Sequence, residues 1–203
     1  MSDGDFQLAS SREVHRGHAF RLAVETWRMP DGSERDRDVV HHTGAVGVVA
    51  LDERERVLLI RQFRPAVRRH LLELPAGLLD EVGEPASVAA ARELAEEADL
   101  VAGRWHVLLD AYTSPGMSDE AVRIYLARDV AAAHSPYSRV DEEADLQPRW
   151  LPLADAVDLV TRGELTNSLA VLGVLATARA RDTDWSGLRP VDAAWDARPG
   201  HPG

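Results

Sequence analysis

Phe20 to Trp27, FRLAVETW, alternates apolar and polar positions, the period of a strand with one covered face. Residues 1–14 ahead of it read as a polar lead-in. Behind it, MPDGSERDRDVVHH reads as a hairpin, because Pro30 fixes φ and Gly32 accepts a positive φ on either side of Asp31. Residues 1–42 are therefore expected to form a small antiparallel β addition ahead of a main domain spanning 43–182.

Two short β-rich runs follow, AVGVVAL from Ala45 to Leu51 and VLLIRQ from Val57 to Gln62, joined by the charged turn DERER in the manner of a buried hairpin. After Gly77 the period turns helical, with Pro85 at a first-turn position and SVAAARELAEEA behind it, so a helix is expected from 85 to about 98. Trp105 to Leu109 and Ala121 to Leu126 read as strands around an irregular stretch, Tyr112 to Glu120, and Trp150 to Pro152 closes another strand. Helices are expected across Leu153–Arg162 and Asn167–Ala180, and residues 183–203, rich in Asp, Arg, Pro and Gly, as a loosely held tail. The order of elements agrees with an α/β (α+β) fold.

The chain of 203 residues is long enough for one good core and an appended segment. Its 45% hydrophobic and 28% charged residues are ordinary for a globular protein and unlike a disordered or membrane chain. No apolar run has the length of a membrane span, and MSDGDFQLASSREV has neither a basic nor an apolar leader segment, so cytoplasmic residence is expected. The absence of cysteine excludes disulfides, thiolate metal sites and a cysteine nucleophile. With 23 Lys and Arg against 34 Asp and Glu, the net charge of −11 argues against nucleic-acid or anionic-membrane partners. It leaves room for a phosphorylated small molecule whose charge is screened by metal ions.

The segment from Gly77 to Glu97 carries the chemistry. At about 100° per residue, Val88, Ala91, Leu94, Ala95 and Ala98 fall on one apolar face, expected to pack inward. Glu93 and Glu97 are about 40° apart and roughly opposite that face, with Glu96 about a quarter-turn aside. Like charges at this spacing cost a few tenths of a kcal/mol in an isolated helix, so three together invite a divalent cation. Oxygen ligands without Cys or a nearby His favour Mg²⁺ or Mn²⁺ over zinc. The competing reading is a solvated helix face with Arg92 paired to Glu96. The entry ELPAGLLDEVGE tips the balance, since Pro75, Ala76 and Gly77 bring bare backbone, and a carbonyl, close to the carboxylates.

Gly77, Glu84 and RELAEE at 92–97 resemble the Nudix box, GX5EX7REUXEEXGU, with its seven residues between Glu84 and Arg92. The sequence departs from the pattern twice. Six residues rather than five separate Gly77 from Glu84, and Asp99 stands where glycine is expected, a position a left-handed cap can take at a cost of about 1 kcal/mol. The resemblance implies a Nudix αβα sandwich with a mixed sheet. It also implies metal ligation by Glu93 and Glu97, with Glu96 assisting and the Ala76 carbonyl completing one shell, while Arg92 holds the carboxylates in place. Metal-assisted phosphoanhydride hydrolysis is the chemistry implied. A mobile carboxylate after the box usually supplies the base, and Asp141, Glu142 and Glu143 in SRVDEEADL are the candidates, Glu142 first and Glu143 next.

Pro115, in SPGMSDE and fifteen residues after Leu100, resembles the marker of ADP-ribose pyrophosphatases, which cut ADP-ribose to AMP and ribose 5-phosphate. By the same resemblance Glu120 and Arg64 contact the substrate, Arg37 reaches across from a partner subunit, and the N-terminal strands help build a swapped homodimer. His41 and His42 are read as structural, since neighbours in a strand point to opposite faces. The alternatives are another nucleoside diphosphate derivative, such as a GDP-sugar or NADH, and a non-catalytic ADP-ribose sensor. A purely structural, oligomer-forming role leaves the box without a purpose.

Overall fold

The computed structural model describes residues 6–134, 137 and 146–198. Three strands, β1 (Gln7–Arg16), β2 (Phe20–Arg28) and β3 (Glu34–His42), form an N-terminal antiparallel sheet. Then come β4 (Ala45–Ala50), β5 (Arg56–Arg64), β6 (Arg69–Glu73), β7 (Ala76–Leu78) and helix α1 (Ala86–Ala98). The chain continues through β8 (Leu100–Tyr112), β9 (Ala121–Ala132) and β10 (Gln147–Pro152) to α2 (Leu153–Thr161), α3 (Ser168–Asp182) and β11 (Arg189–Pro190).

The central sheet runs β11-β8-β9-β4-β7 and is mixed, because β4 lies parallel to β9 while its other pairings are antiparallel. Strand alternation divides the core. Val46, Val48 and Ala50 of β4, with Tyr125 and Ala127 of β9, pack on Ala89, Ala90 and Leu94 of α1. Val49, Ile124 and Leu126 point the other way, onto Ala156 of α2 and Ala170 and Val174 of α3. Fully burying each Val, Leu or Ile contributes about 1.5–3 kcal/mol, so both layers are held mainly by these side chains. The expected helix–sheet–helix sandwich with a mixed sheet and an N-terminal antiparallel addition is what the chain forms. Asn167 starts α3 by accepting the Ala170 N–H at 3.0 Å, a cap typically worth about 1 kcal/mol.

Three expectations need correction. The polar lead-in contains β1, paired with β2 from Gln7↔Arg28 to Arg16↔Arg21 although all ten of its residues are exposed. A strand held by ladder hydrogen bonds, with no covered face, leaves no period-2 apolar signal. β4 and β5 are not a hairpin: beyond the bridge Leu51↔Val57 they diverge into separate sheets, β5 lying between β10 and β6. Asp52 organises the turn instead, its carboxylate accepting the backbone N–H of Arg54 at 3.0 Å and of Arg56 at 2.8 Å.

β6 and β7 are additional strands that no pattern in HLLELPAGL announces; each is short, and Pro75 interrupts the run. The third correction is the tail. β11 adds to β8, and Arg123, itself 3% exposed, donates to the carbonyls of Ala193 at 2.7 Å and Ala194 at 2.8 Å. The Arg123 guanidinium also lies 4.8 Å from the Trp195 ring centroid. Residues 185–195 are thus strapped to the sheet by partners far away in sequence. Among the described residues, no helix is long and apolar enough to cross a membrane.

Candidate active site

Helix α1 presents a different face from the one its alanines suggest. Its buried residues are Ala89, Ala90, Glu93, Leu94 and Glu97, whereas Val88 is 51% exposed and Ala91 is also exposed. Glu93 and Glu97 therefore lie within the inward face, between Ala89 and Leu94 around the helix, rather than opposite it. Alanine carries little apolar area and so does not decide which way a helix turns. The buried carboxylates are instead compensated by specific donors, as burial of charge requires. Ala76 N–H donates to Glu97 Oε2 at 2.9 Å, and the strand pairing of β4 with β7 holds Ala76 there.

Gly77 is set by space. A Cβ at this position would lie 2.0 Å from Glu93 Oε1 and 2.1 Å from its carboxyl carbon. Only a residue without a side chain lets the β7 backbone approach this carboxylate. The bare-backbone entry read from Pro75-Ala76-Gly77 is thus a physical contact.

Arg92 ties the carboxylates together. Its Nε and Nη2 donate to the two oxygens of Glu84, each at 3.1 Å, and its Nη1 donates to Glu93 at 2.6 Å and to Glu96 at 3.1 Å. The Glu84 hydrogen bonds, more than any other influence, hold the guanidinium charged well above its ordinary range. One guanidinium among four carboxylates leaves the cluster with excess negative charge. The helix ends as expected, on Asp99 in the left-handed region at φ 55° and ψ 37°, its N–H bonding to Ala95 O at 3.0 Å.

The cluster lines a cleft of about 820 Å³ with Asp80, Glu81 and the Leu78–Glu84 loop. Ala76, Gly77 and Leu78 form a wall shared with a second cavity of about 770 Å³, which contains Arg64, Glu73, Thr113, Glu120 and Asn167. Arg64 is aimed by Glu73, 3% exposed, through hydrogen bonds from Nε at 3.0 and 3.1 Å and from Nη2 at 2.7 Å. Glu120 accepts the Thr113 hydroxyl and lies 3.7 Å from His42 Nδ1.

The structure thus brings Ala76, Gly77, Glu93, Glu96, Glu97 and Arg92 together, with Arg64 and Glu120 in the adjoining cavity. Arg37 and Pro115 line a separate cavity of about 550 Å³ with Trp27, Tyr112 and Met117. Asp141, Glu142 and Glu143 lie outside the described residues. Among the described residues no three Asp, Glu, His or Cys groups converge as a ready cage for a cation; Arg92 is interleaved with the carboxylates. Sequence reasoning missed Glu73, because β6 was not recognised, and missed the partners of His41.

A family model described as the NUDIX domain matches residues 41–170. The chain is similar to the ADP-ribose pyrophosphatase of Mycobacterium tuberculosis (strain ATCC 25618 / H37Rv), 45% identical over 199 residues that cover 98% of this chain and 95% of the relative. The ADP-ribose pyrophosphatase of Bacillus subtilis (strain 168) is 32% identical over 165 residues, 81% of this chain and 88% of the relative. Among solved structures, that of an ADP compounds hydrolase superposes with a TM-score of 0.75 at 20% identity, covering 89% of this chain and 96% of that one. A likeness at that identity speaks for the fold.

Proposed function

The chain belongs to the Nudix family, and from that premise we propose that it hydrolyses the pyrophosphate bond of ADP-ribose to AMP and ribose 5-phosphate. The observation that carries the reading is the wall Ala76–Leu78, which joins the carboxylate cleft to the cavity holding Arg64 and Glu120. A diphosphate reaching over that wall puts its phosphates beside the carboxylates and one end beside Arg64 and Glu120. The near full-length likeness to a protein named ADP-ribose pyrophosphatase supports that substrate.

Family members need a divalent metal, and the residues here fit one. The donors are all hard oxygens, and the glycine at 77 leaves a cradle around Glu93 that any Cβ would fill. Glu93, Glu96, Glu97 and the Ala76 carbonyl would hold Mg²⁺ or Mn²⁺. When bound, such an ion screens the phosphate oxygens and makes water a better nucleophile at neutral pH.

The rest falls to the chain. Arg92 keeps Glu84, Glu93 and Glu96 in register. Arg64, fixed by Glu73, offers positive charge to the substrate, and Glu120 is assigned as the acceptor of a hydrogen bond from the substrate. Glu142, or Glu143 beside it, takes the proton from water as its oxygen bonds to phosphorus. The phosphoanhydride P–O bond breaks, and the departing phosphate carries the electron pair. The three N-terminal strands, with Leu8, Val14 and Phe20 exposed and Phe6 exposed just ahead of them, form the dimerisation segment, and Arg37 and Pro115 line the place where a partner subunit's substrate is approached.

Incubating the purified protein with ADP-ribose and Mg²⁺, with and without EDTA, tests this. AMP and ribose 5-phosphate should form only with the ion and should nearly vanish in Glu97→Gln. Activity confined to GDP-mannose or NADH would overturn the substrate, and inertness on all three would overturn the hydrolase reading.

A further inference from the structure

His41 stands between two carboxylates from distant parts of the chain. Its Nε2 lies 2.9 Å from Glu25 Oε1 on β2, and its Nδ1 lies 2.7 Å from Asp119 Oδ2, just ahead of β9. Both carboxylates are oriented by other donors. Glu25, 5% exposed, accepts Trp27 Nε1–H at 3.0 Å through its second oxygen, and Asp119 Oδ1 accepts the His42 backbone N–H at 2.8 Å. Ionised carboxylates only accept, and a neutral imidazole has one N–H and one lone pair. Both contacts are hydrogen bonds only when both ring nitrogens carry hydrogen.

The clamp reaches the substrate cavity through the backbone. Val40 N–H donates to Met117 O at 2.8 Å and Asp119 N–H to Val40 O at 3.1 Å, so residues 117–119 lie along β3 as a short parallel bridge. The next residue is Glu120. The neck of the 113–120 loop is closed by Thr113 N–H to Glu120 O at 3.2 Å and by the Thr113 hydroxyl to the Glu120 carboxylate. A shift of Asp119 therefore carries Glu120 with it.

We propose that His41 is a positioning residue that holds Glu120 in its substrate-binding place, so that substrate affinity falls when its bridge between Glu25 and Asp119 is broken. The inference rests on the reading that Glu120 contacts ADP-ribose. Besides Glu25 and Asp119, the charged groups around His41 are Arg37 and Asp38, which line one cavity beside it, and Arg16, His18 and Arg21, which line a small one on its other side. His42 follows His41 along the chain, and Glu120 follows Asp119. None of these is a box carboxylate.

The decisive comparison is Asp119→Asn. Its Oδ1 can go on accepting the His42 N–H while Nδ2 donates to an unprotonated Nδ1, so the loop is held by a neutral ring. Steady-state kinetics with ADP-ribose and Mg²⁺ should show KM raised roughly tenfold in His41→Ala and in Asp119→Ala, with kcat nearly unchanged. In Asp119→Asn KM should stay near the wild-type value. An unchanged KM in His41→Ala, or an equal rise in Asp119→Asn, overturns the proposal. If the wild type does not hydrolyse ADP-ribose, the function reading fails separately, and the amide shifts of residues 117–120 judge the clamp. Amides that move in His41→Ala and stay in place in Asp119→Asn support it; unmoved amides in His41→Ala overturn it.

Discussion

Gly77 and Glu93 compete for the same space: the first atom of any side chain at 77 would stand 2.0 Å from Glu93 Oε1. The glycine lies on β7 and the glutamate on α1, so their contact sets how closely strand and helix approach.

Gly77→Ala should therefore displace Glu93 and leave the fold intact. Misplacing a catalytic group by about 1 Å can cost roughly 10²-fold in rate, and a fall of about that size in kcat/KM is expected with a nearly unchanged melting temperature. A variant with wild-type activity would mean that Glu93 has no part in the chemistry.

Arg92 makes the opposite kind of prediction, since it neutralises charge that the fold has gathered. Arg92→Met leaves Glu84, Glu93 and Glu96 without this cation, and a destabilisation of about 2 kcal/mol is expected in EDTA. Mg²⁺ should restore part of it, because an ion bound to the folded state alone stabilises that state. Thermal unfolding of both proteins with and without Mg²⁺ reads this out; equal stability in EDTA would exclude the structural role of Arg92.

The spacing of Glu84, Arg92, Glu93, Glu96 and Glu97 was legible in the sequence because a helix turns spacing into geometry. So was the left-handed cap at Asp99. The direction α1 faces was not legible, since Ala91 and Ala95 weigh little in any hydrophobic tally while Glu97 depends on a donor, the Ala76 N–H, twenty-one residues away. His41 looked inert for a similar reason. Its partners Glu25 and Asp119 lie 16 and 78 residues distant, and only the fold reveals them. The fastened tail was hidden likewise, behind Arg123 and carbonyls about seventy residues on.

That tail should respond to acid through Asp110. Burial raises the carboxyl, but hydrogen bonds from Arg123 at 2.7 and 2.9 Å and from Arg189 at 2.8 Å outweigh it and hold Asp110 below the usual carboxylate range. A depressed folded-state value means the stabilisation is fully present above the unfolded value of about 3.9 and is lost as pH falls through the folded one. Fluorescence of Trp195, stacked on Arg123, should change in that acidic window. In Asp110→Asn the segment should be loosened already at neutral pH, at a cost of about 3 kcal/mol. An unchanged acid profile in the variant would show that Asp110 does not fasten the tail.

Glu73 offers a way to separate substrate binding from the metal chemistry. It is buried, accepts three hydrogen bonds from Arg64, and lies in the cavity on the far side of the Ala76–Leu78 wall from the carboxylate cleft. Glu73→Gln keeps the shape but removes the charge and one of the two acceptor oxygens, so Arg64 is held less firmly. Loss of about 1 kcal/mol of orientation corresponds to a roughly fivefold rise in KM for ADP-ribose. Because Arg64 is assigned to the substrate and not to the ion, the Mg²⁺ concentration giving half-maximal rate should stay at the wild-type value. A shift in the Mg²⁺ requirement with an unchanged KM would place Arg64 and Glu73 in the metal site and reverse the assignment.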